Sequence, residues 1–431
     1  MPTGADSCRH GQGELRPAGN CRRGKQRAQV ISMGLKVGFC GVGAFADCFI
    51  PLFKAHPLVD EVVLADIDAD KLQAKSAKHE VPRTYASLDE LCQADVDAIA
   101  VFSQNWMHGP QAVQVLRAGK DVYSAVPAGI SVAEIDELVR ATQESGRIYM
   151  IGETSYYYPA AIYCRRRFAN GDFGRIVYSE GEYYHDYDHG LYDVMRWRGG
   201  ERWRETAGSP PMHYPTHSTG QVVSVIEAHA MKVSCFGFVD NHPDGLFRAD
   251  VNLWGNTFSN ETALFHMSDG SMMRINEFRR VGHPGTEAIS LYGTEGCFEQ
   301  QAGAQSWVTK ERGATEDLRE LLAPVGAPRK VEGEMAVLKD AQTHAGVARV
   351  HDVDRLPVGF MTLPNGHLGS HQFLVDDFVK ACVERVQPPC NAWEAARYVL
   401  PGLTAHESAA RGGELLDVPD HGACPFEVVY F

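Results

Sequence analysis

The stretch GVGAFA (41–46) decides the fold, because it comes directly after the short apolar run LKVGF (35–39). A strand that leads through a G-x-G-x-x-A turn into a helix is typical of a dinucleotide-binding βαβ unit. Gly41 permits the tight bend, Gly43 lets the backbone approach a pyrophosphate, and Ala46 allows the helix to pack closely on the strand. We expect the intervening Ala44 and Phe45 to line the same cofactor site.

Asp66 completes this pattern. It ends the second apolar run, EVVLAD (61–66), and stands 20 residues beyond Ala46. A carboxylate at this place accepts hydrogen bonds from the adenosine ribose hydroxyls and repels a 2′-phosphate. The helix that follows the turn contributes unpaired N–H groups and a partial positive charge for the pyrophosphate. The sequence therefore predicts NAD as the cofactor rather than NADP.

The rest of the chain predicts α/β plus α+β architecture in successive parts. Apolar runs alternate with helical segments through about residue 155, which predicts a Rossmann domain over 35–155 with a doubly wound parallel sheet. Longer strands separated by Gly-containing turns predict a large open, mostly antiparallel sheet over 156–369, flanked by helices and serving substrate binding and oligomerisation. Helices in 370–431 are expected to pack back on the domain interface. Residues 301–355 are predicted to be loop or peripheral structure, and 1–34 a disordered tail.

Composition excludes several other classes of protein. The 431 residues carry a formal net charge of −14, so no extended basic surface is available for nucleic acid. The longest apolar runs fall short of the ~18–20 residues that cross a bilayer, which predicts no membrane partner. The 11 cysteines are scattered and include no C-x-x-C pair. This usage favours free thiols in the cytoplasm over a disulfide framework.

Two further segments carry a family resemblance. They are SQNWMH (103–108) and AGKDVYSAVPAGIS (118–131), and with the glycine turn and Asp66 they make the chain similar to the Gfo/Idh/MocA family of glucose–fructose oxidoreductase, inositol dehydrogenase and relatives. The resemblance implies an NAD(P)-dependent oxidoreductase acting on a carbohydrate or polyol, as a homodimer or homotetramer. It also places five residues along the nicotinamide side of the cofactor: Ser103, Asn105, His108, Val126 and Pro127.

One departure from the family changes the expected chemistry. The family's usual Glu-Lys-Pro is Ala125-Val126-Pro127 here, and Val126 cannot help a substrate hydroxyl lose its proton. The NAD-dependent α-N-acetylgalactosaminidases of the same family also have Val-Pro-Ala at this place. They resemble the chain in four more segments, namely Gly152-Glu153, EYYHD (182–186), YPTH (214–217) and NGHLGSH (365–371). These enzymes oxidise the sugar at C3, eliminate the aglycone, add water and return the hydride.

The resemblance to that branch implies roles for single residues. Tyr183 would be the base that removes the C2 proton, Tyr214 and His217 would hold the C3 oxygen, and Glu153 would touch a sugar hydroxyl. Other polar side chains are predicted to line the sugar pocket: His185, Arg198, His367 and His371. The loop HDYDH (185–189) has ligand types that suit a metal ion, but a solvated loop is favoured because no third ligand group is fixed by spacing.

Local chemistry supports His217 independently. Pro215 holds the chain extended before it, and Thr216 is expected to cap a helix over 218–230. The positive end of that helix disfavours an imidazolium, so we expect a neutral His217 able to take a proton. Tyr183 is a weaker candidate by itself, since an unperturbed tyrosine is a poor base at neutral pH and its strand is rich in tyrosine.

Three hypotheses about function remain open. The first is a sugar or polyol dehydrogenase with hydride transfer between nicotinamide and a ring carbinol. The second is a redox-neutral glycosidase in which NAD is recycled in place. The third is a non-catalytic, nucleotide-binding member of the family. A metal-dependent hydrolase is a more distant alternative.

Overall fold

The computed structural model describes residues 34–311, 313–325 and 346–431. The predicted disordered tail over 1–34 therefore lies, apart from Gly34, outside the described residues. Part of the segment 301–355, which was predicted to be loop or peripheral structure, also lies outside them.

The first half of the described chain is built on a parallel sheet of six strands in the order β3-β2-β1-β4-β5-β6. The order reverses direction next to β1, and a crevice for ligands opens at such a switch point in doubly wound folds. Buried aliphatic side chains fill these strands because helices cover both faces. The strands are β1 (Leu35–Cys40), β2 (Val59–Ala65), β3 (Thr84–Tyr85), β4 (Ala98–Val101), β5 (Asp121–Ser124) and β6 (Tyr149–Ile151).

Side-chain caps start several of the connecting helices. Asp68 accepts a hydrogen bond from the Lys71 amide at 3.0 Å, and Ser87 and Ser131 cap the next helices in the same way. The capping residues thus help to set where the helices of the βαβ units begin. The helices are α1 (Ala46–Ala55), α2 (Ala69–His79), α3 (Leu88–Gln93), α4 (His108–Arg117) and α5 (Val132–Ser145).

The second half forms a nine-stranded sheet in the order β14-β13-β12-β11-β7-β10-β9-β8-β15. All its neighbouring strands are antiparallel except β7 and β10, which run parallel, so the predicted mostly antiparallel sheet is confirmed. The strands are β7 (Ile176–Tyr184), β8 (Ala230–Val239), β9 (Phe258–Met267), β10 (Met272–Phe278), β11 (Thr286–Gly293), β12 (Gly296–Gln301), β13 (Ala304–Thr309), β14 (Glu316–Asp317) and β15 (Leu416–Asp417).

The helices of the second half are α6 (Pro159–Ala169), α7 (Leu191–Gly199), α8 (Trp203–Ala207), α9 (Thr216–Ile226), α10 (Arg319–Leu322), α11 (Ser370–Glu384) and α12 (Ala392–Ala410). Helices α6, α9, α10 and α12 pack on the nine-stranded sheet. Helix α9 packs on β7 and β11. It can approach this closely because position 181 is glycine, where a Cβ would collide with the Ser218 carbonyl oxygen. The face of α9 that carries His217 is thereby pressed against β7.

Some details of the elements differ from the prediction. The segment 301–355, predicted to be loop or peripheral structure, contributes the edge strands β13 and β14, which the sequence did not indicate because their charged and polar residues hide the period of a short strand. The helix predicted over 218–230 begins at Thr216 and ends at Ile226, where Glu227 adopts the left-handed conformation. The final segment also adds β15 to the second sheet, which no sequence pattern indicated.

A small second core anchors α7 and α8 outside the main one. Its buried members are Tyr187, Leu191, Val194, Ala207, Leu246 and Phe247. Arg280, just after β10, lies over the rings of Tyr187 and Tyr192 and forms an ion pair with Asp244. These contacts fix α7 and its Arg198 on the sheet. Within the described residues, no helix is long and apolar enough to pass through a bilayer.

Candidate active site

The glycine turn has the shape that a pyrophosphate needs. Gly41 has φ +89°, and a Cβ there would lie 2.8 Å from the carbonyl carbon of Phe102, so only glycine fits. No described atom lies within 4 Å of the place where a Cβ of Gly43 would stand. Ala46 is buried and begins α1 directly after the turn. The turn therefore offers open space in front of a helix N-terminus, as an anionic ligand requires.

Asp66 lies at the carboxyl end of β2, beside that turn. Its Oδ2 accepts a hydrogen bond from the Val42 amide and its Oδ1 from the Asp68 amide, both at 2.9 Å. A carboxylate has lone pairs left after two such bonds. Asp66 thus fixes the glycine turn and can still receive ribose hydroxyls, so the chain's own residues fit a dinucleotide.

The residues predicted along the nicotinamide side lie where β4 and β5 end. His108 is 2% exposed, with Nδ1 3.0 Å from the Pro127 carbonyl and Nε2 3.1 Å from the Ser103 carbonyl. Burial lowers the pKa of His108 to about 4, so the ring is neutral. A neutral ring has a single N–H, so it donates to only one of these two carbonyls. The side chains of Ser103 and Asn105 bond to Gln111 and to the Trp106 amide. Contact of these residues with a cofactor stays a prediction.

The three residues predicted to be catalytic come together in space. Tyr183 is on β7, Tyr214 precedes α9, and His217 is in the first turn of α9. The ring centroids of Tyr183 and Tyr214 are 6.1 Å apart, and each is 5.3 Å from that of His217. Tyr183 and Tyr214 are 31 residues apart in the sequence, and the packing of α9 on β7 brings them together.

His217 is paired with a buried carboxylate. Its Nδ1 lies 2.7 Å from Oε1 of Glu153, which also accepts from the Ser155 amide at 2.9 Å, and 4.0 Å from Oε2 of Glu287. Burial by itself lowers the pKa of His217, but the charges of Glu153 and Glu287 outweigh it and hold that pKa well above its usual 6.5. The imidazole is therefore a cation at neutral pH, with only Nε2 left to face a substrate.

This charge state corrects two expectations from the sequence. The neutral His217 is wrong, because two carboxylates from distant segments act more strongly than the helix N-terminus. The N-cap at Thr216 is also wrong, since α9 already includes that residue and no side chain caps the helix. Instead the hydroxyls of Ser218 and Thr219 donate back to the Pro215 carbonyl, both at 2.9 Å.

A row of acidic residues crosses the sheet beneath the cluster, and sequence reasoning missed it. Glu261 pairs with Glu277, Glu277 with Tyr183, and Tyr183 with Glu287, on β9, β10, β7 and β11. Directly paired residues point to the same face of a sheet, here the face under α9. The sequence offers one signal for this row, namely a charged residue at an inward-facing position of an otherwise apolar strand. That signal can be interpreted only when the pairing register of the strands is known.

Arg279 offsets part of the negative charge of this row, next to Tyr183. Its guanidinium carbon lies 4.7 Å from the Tyr183 ring centroid, and its Nη2 donates to Glu277 Oε2 at 2.9 Å. Burial raises the pKa of Glu277 to about 8 against the opposing pull of Arg279. Burial also raises the pKa of Tyr183 well above its usual value, and Arg279 acts in the opposite direction. Arg279 is thus the group of this chain that favours a Tyr183 phenolate.

Comparison with known proteins relates the first half of the chain to a family of oxidoreductases. A family model described as "Oxidoreductase family, NAD-binding Rossmann fold" (GFO_IDH_MocA) matches residues 35–153. A glycosyl hydrolase family 109 protein of Saccharopolyspora erythraea is 29% identical over 289 residues, which are 62% of this chain and 62% of that protein. Another protein with the same description, from Streptomyces niveus, is 26% identical over 90% of this chain and 77% of its own length.

Residues 35–153 thus resemble the NAD-binding domain of the Gfo/Idh/MocA oxidoreductases. A solved structure of levoglucosan dehydrogenase in complex with NADH and levoglucosan has the same fold, with a TM-score of 0.67 and 15% identity over 90% of this chain and all of that one. The match to the Saccharopolyspora relative spans less than two thirds of the length of that relative.

The remaining residues predicted to bind substrate have different surroundings. The Nδ1 of His185 is 2.8 Å from the Tyr183 hydroxyl, and Glu153 is completely buried behind His217. Arg198 is close enough for its charge to lower the pKa of His108, although burial is the larger cause. Their contact with a sugar stays a prediction.

The two histidines of the segment 365–371 lie on the cofactor side. Nδ1 of His367 and Nε2 of His371 are 2.8 Å apart, and the His371 ring centroid is 4.4 Å from that of Phe49 on α1. Burial lowers the pKa of His371 to about 3, so that ring is neutral. As for a metal, no group of three or more His, Cys, Asp or Glu side chains in the described ranges is arranged to hold one.

The Glu153–His217 pair predicts a change in protonation on substitution. Glu153→Gln removes the largest charge that raises the pKa of His217, so burial should bring that pKa well below its value in the parent. In the parent, the imidazole should remain protonated through neutral pH; in the variant it should be neutral there. NMR titration of labelled histidine side chains measures this. An unchanged His217 titration would show that Glu153 does not set its charge.

Proposed function

We propose that the chain binds NAD and transfers hydride to and from a ring carbinol of a carbohydrate or polyol. The observation that carries this proposal is the cluster of Tyr183, Tyr214 and a protonated His217. The chain also resembles a family whose first domain has a dinucleotide-binding turn. Bound NAD would supply a hydride acceptor and donor at this place. The chain's own residues would orient the sugar and move its protons.

The residues divide this work according to their protonation. A protonated His217 can donate a hydrogen bond from Nε2 to the oxygen of the reacting carbinol, and this bond strengthens as negative charge develops there. Glu153 acts through His217, because its Oε1 holds Nδ1 and stabilises the cation. Tyr214, 5.3 Å from the imidazole between ring centroids, would hold the same oxygen from a second side.

A redox-neutral glycosidase is the second candidate, and specific observations favour it. Position 126, the usual lysine of the family, is a valine that is 7% exposed, so the usual proton acceptor of a net oxidation is missing. Tyr183 supplies a different acid/base group, with Arg279 beside it. Two relatives are described as glycosyl hydrolase family 109 proteins. In this reading, oxidation at C3 acidifies the C2 proton, which Tyr183 removes as the aglycone leaves.

The two chemistries differ in what accumulates. Incubation of the purified chain with p-nitrophenyl glycosides and a catalytic amount of NAD should release nitrophenol in large excess over the cofactor if the cycle is redox-neutral. Stoichiometric reduced cofactor without nitrophenol would instead establish a dehydrogenase. Neither product, across a panel that includes α-N-acetylgalactosaminide, other hexosides and free polyols, would contradict both.

Cofactor choice gives a prediction at Asp66. Three carboxylates, Asp66, Asp68 and Asp70, follow β2 within five residues, and they favour NAD over a 2′-phosphorylated cofactor. Asp66→Ser should weaken NAD binding about tenfold or more, since a hydrogen bond to a charged group contributes about 1.5–3 kcal/mol. It should also raise the affinity for NADP. Titration calorimetry measures both, with Asp70→Ser as the matched acidic control on α2; equal losses in the two variants would contradict the role of Asp66.

The outer face of the second sheet supports a homo-oligomer. Phe236, Phe238, Leu264 and Met272 are each between 47% and 66% exposed there, and exposed apolar clusters mark interaction surfaces. We therefore include a homodimer or homotetramer through this face in the proposal, testable by light scattering. The nine described cysteines are all free thiols, which supports a cytoplasmic location.

A further inference from the structure

Glu277 connects the two sides of the catalytic cluster beneath α9. It is completely buried on β10, where it is the direct partner of Tyr183 on β7, so both side chains point to the same face of the sheet. Its Oε1 lies 2.5 Å from the Ser218 hydroxyl on α9, and its Oε2 accepts from Nη2 of Arg279 at 2.9 Å. Ser218 directly follows His217 in the sequence. One carboxyl group thus contacts both the helix that carries His217 and the cation beside Tyr183.

The contacts of Ser218 indicate which protonation state of Glu277 the structure suits. The Ser218 hydroxyl has one proton, yet its oxygen lies 2.9 Å from the Pro215 carbonyl oxygen as well as 2.5 Å from Glu277. An ionised Glu277 would use that single proton and leave the contact with Pro215 without one. A neutral carboxylic acid donates its own proton to Ser218, and Ser218 then donates to Pro215. The two contacts are therefore both hydrogen bonds only when Glu277 is neutral.

Burial acts in the same direction as this geometry. It raises the pKa of Glu277 to about 8, and the contacts with Arg279 and Ser218 lower that pKa only in part. A carboxyl group with such a pKa is mostly protonated at neutral pH. Its Oε2 can still accept the bond from Arg279, because a neutral carboxyl group keeps an acceptor oxygen. The hydrogen bonds on both sides of Glu277 therefore survive without a negative charge on it.

The other titratable groups that pack around Glu277 do not reverse this effect. Glu261, its partner on β9, bonds to Nδ1 of His406 at 2.7 Å. The charge of His217 on α9 also lowers the pKa of Glu277, but less than burial raises it. The turn Pro211–His213 packs on β10 as well, and burial lowers the pKa of its histidine to about 3, so that ring is neutral. Burial therefore remains the decisive influence on Glu277.

The charge state of Glu277 matters because of what Arg279 does next to it. Arg279 is 8% exposed, and its only ion pair within the described residues is with Glu277. Its guanidinium carbon lies 4.7 Å from the Tyr183 ring centroid. Burial and the neighbours Tyr214 and Glu287 raise the pKa of Tyr183, and the guanidinium opposes them. A neutral Glu277 leaves this positive charge uncompensated, whereas an ionised Glu277 would cancel much of it.

We propose that Glu277 is a positioning residue that works as a neutral acid, which donates to Ser218, accepts from Arg279 and leaves the guanidinium charge to act on Tyr183. The inference rests on the proposed function for the role of Tyr183 as a base, and it deepens that role by naming the group that controls it. The protonation of Glu277 and Tyr183 can be measured without turnover, so the two claims can fail separately.

Infrared difference spectroscopy of the full chain tests the charge of Glu277. The spectrum of the parent minus that of Glu277→Gln should contain the C=O stretching band of a protonated carboxylic acid at neutral pH, and this band should be lost as the pH rises above about 8. The glutamine keeps both contacts, because its NH₂ donates to Ser218 and its oxygen accepts from Arg279. Glu261→Gln removes the next carboxyl group of the same row and is the matched control, which should retain the band.

Ultraviolet titration measures the consequence at Tyr183. The phenolate absorbance of Tyr183, isolated by subtracting the same chain with Tyr183→Phe, should appear at lower pH in Glu277→Gln than in the parent. The reason is that Glu277 ionises before Tyr183 in the parent and then opposes the phenolate. Arg279→Gln should shift the titration to higher pH, and Glu261→Gln should leave it unchanged. In a chain that turns over, the acid limb of the kcat profile should shift in the same directions.

The outcomes separate the inference from the proposed function. If glycosides and polyols are not turned over but the acid band and the order of the Tyr183 titrations hold, Glu277 acts as proposed and the assigned chemistry fails. A parent without the acid band at neutral pH would overturn the inference. The same Tyr183 titration in the parent and in Glu277→Gln, or an equal shift in Glu277→Gln and Glu261→Gln, would also overturn it.

Discussion

His217→Gln is expected to lower turnover by about 10²–10⁴-fold while leaving the affinity for NAD unchanged. The glutamine can still donate a hydrogen bond, but it cannot carry the positive charge that Glu153 and Glu287 impose on the imidazole. The effect should therefore appear in kcat more than in KM, because the charge matters most when the substrate oxygen becomes negative. Steady-state kinetics on the preferred glycoside or polyol, with calorimetric titration of NAD, measures both quantities.

The matched control is His406→Gln. His406 makes the same contact as His217, with Nδ1 2.7 Å from a buried glutamate, here Glu261 at the far end of the acidic row. Loss of that pair should reduce stability and leave kcat within a few-fold of the parent. If His217→Gln retained full turnover, or if the two variants lost turnover equally, the catalytic role of His217 would be wrong. Undetectable turnover in the parent with intact NAD binding would instead favour the non-catalytic reading.

Local signals explain why the first half could be predicted well from the sequence. The glycine turn acts within a few residues of its own position, and Asp66 lies at the end of the next strand, where its carboxylate reaches the Val42 amide; both lie where the sequence predicted. The short β3 was missed because two residues carry no period. Strand β13 was missed because its outward positions are polar.

The sequence predicted the residues of the catalytic cluster but not the charged groups around them. Tyr183, Tyr214 and His217 were found through a family resemblance. Their electrostatic setting depends on the pairing of β9, β10, β7 and β11, which brings Glu277 and Glu287 beside Tyr183. Register of this kind is fixed by long-range packing, so a buried glutamate in a strand cannot be assigned a partner in advance. The charge of His217 was wrong for the same reason, since Glu153 is 64 residues away.

Tyr183→Phe is expected to stop aglycone release while leaving the oxidation step in place. Loss of a general base typically costs about 10²–10⁴-fold, and the phenylalanine ring keeps the packing against Tyr214 and Arg279. Because His217 and Glu153 are unchanged, one equivalent of reduced cofactor should still form in a single turnover. A substrate deuterated at C2 should exchange its label with water in the parent and retain it in the variant. Mass spectrometry of recovered sugar measures the exchange.

Tyr184→Phe is the matched control, because the next residue points to the opposite face of β7, where its ring stacks on Phe278 with centroids 5.0 Å apart. It should release aglycone at the parental rate. If Tyr183→Phe released aglycone normally, the glycosidase mechanism assigned to Tyr183 would be excluded. If it lost cofactor reduction as well, Tyr183 would instead serve the hydride step, and the chain would act as a dehydrogenase in which the phenol at position 183 replaces the missing lysine.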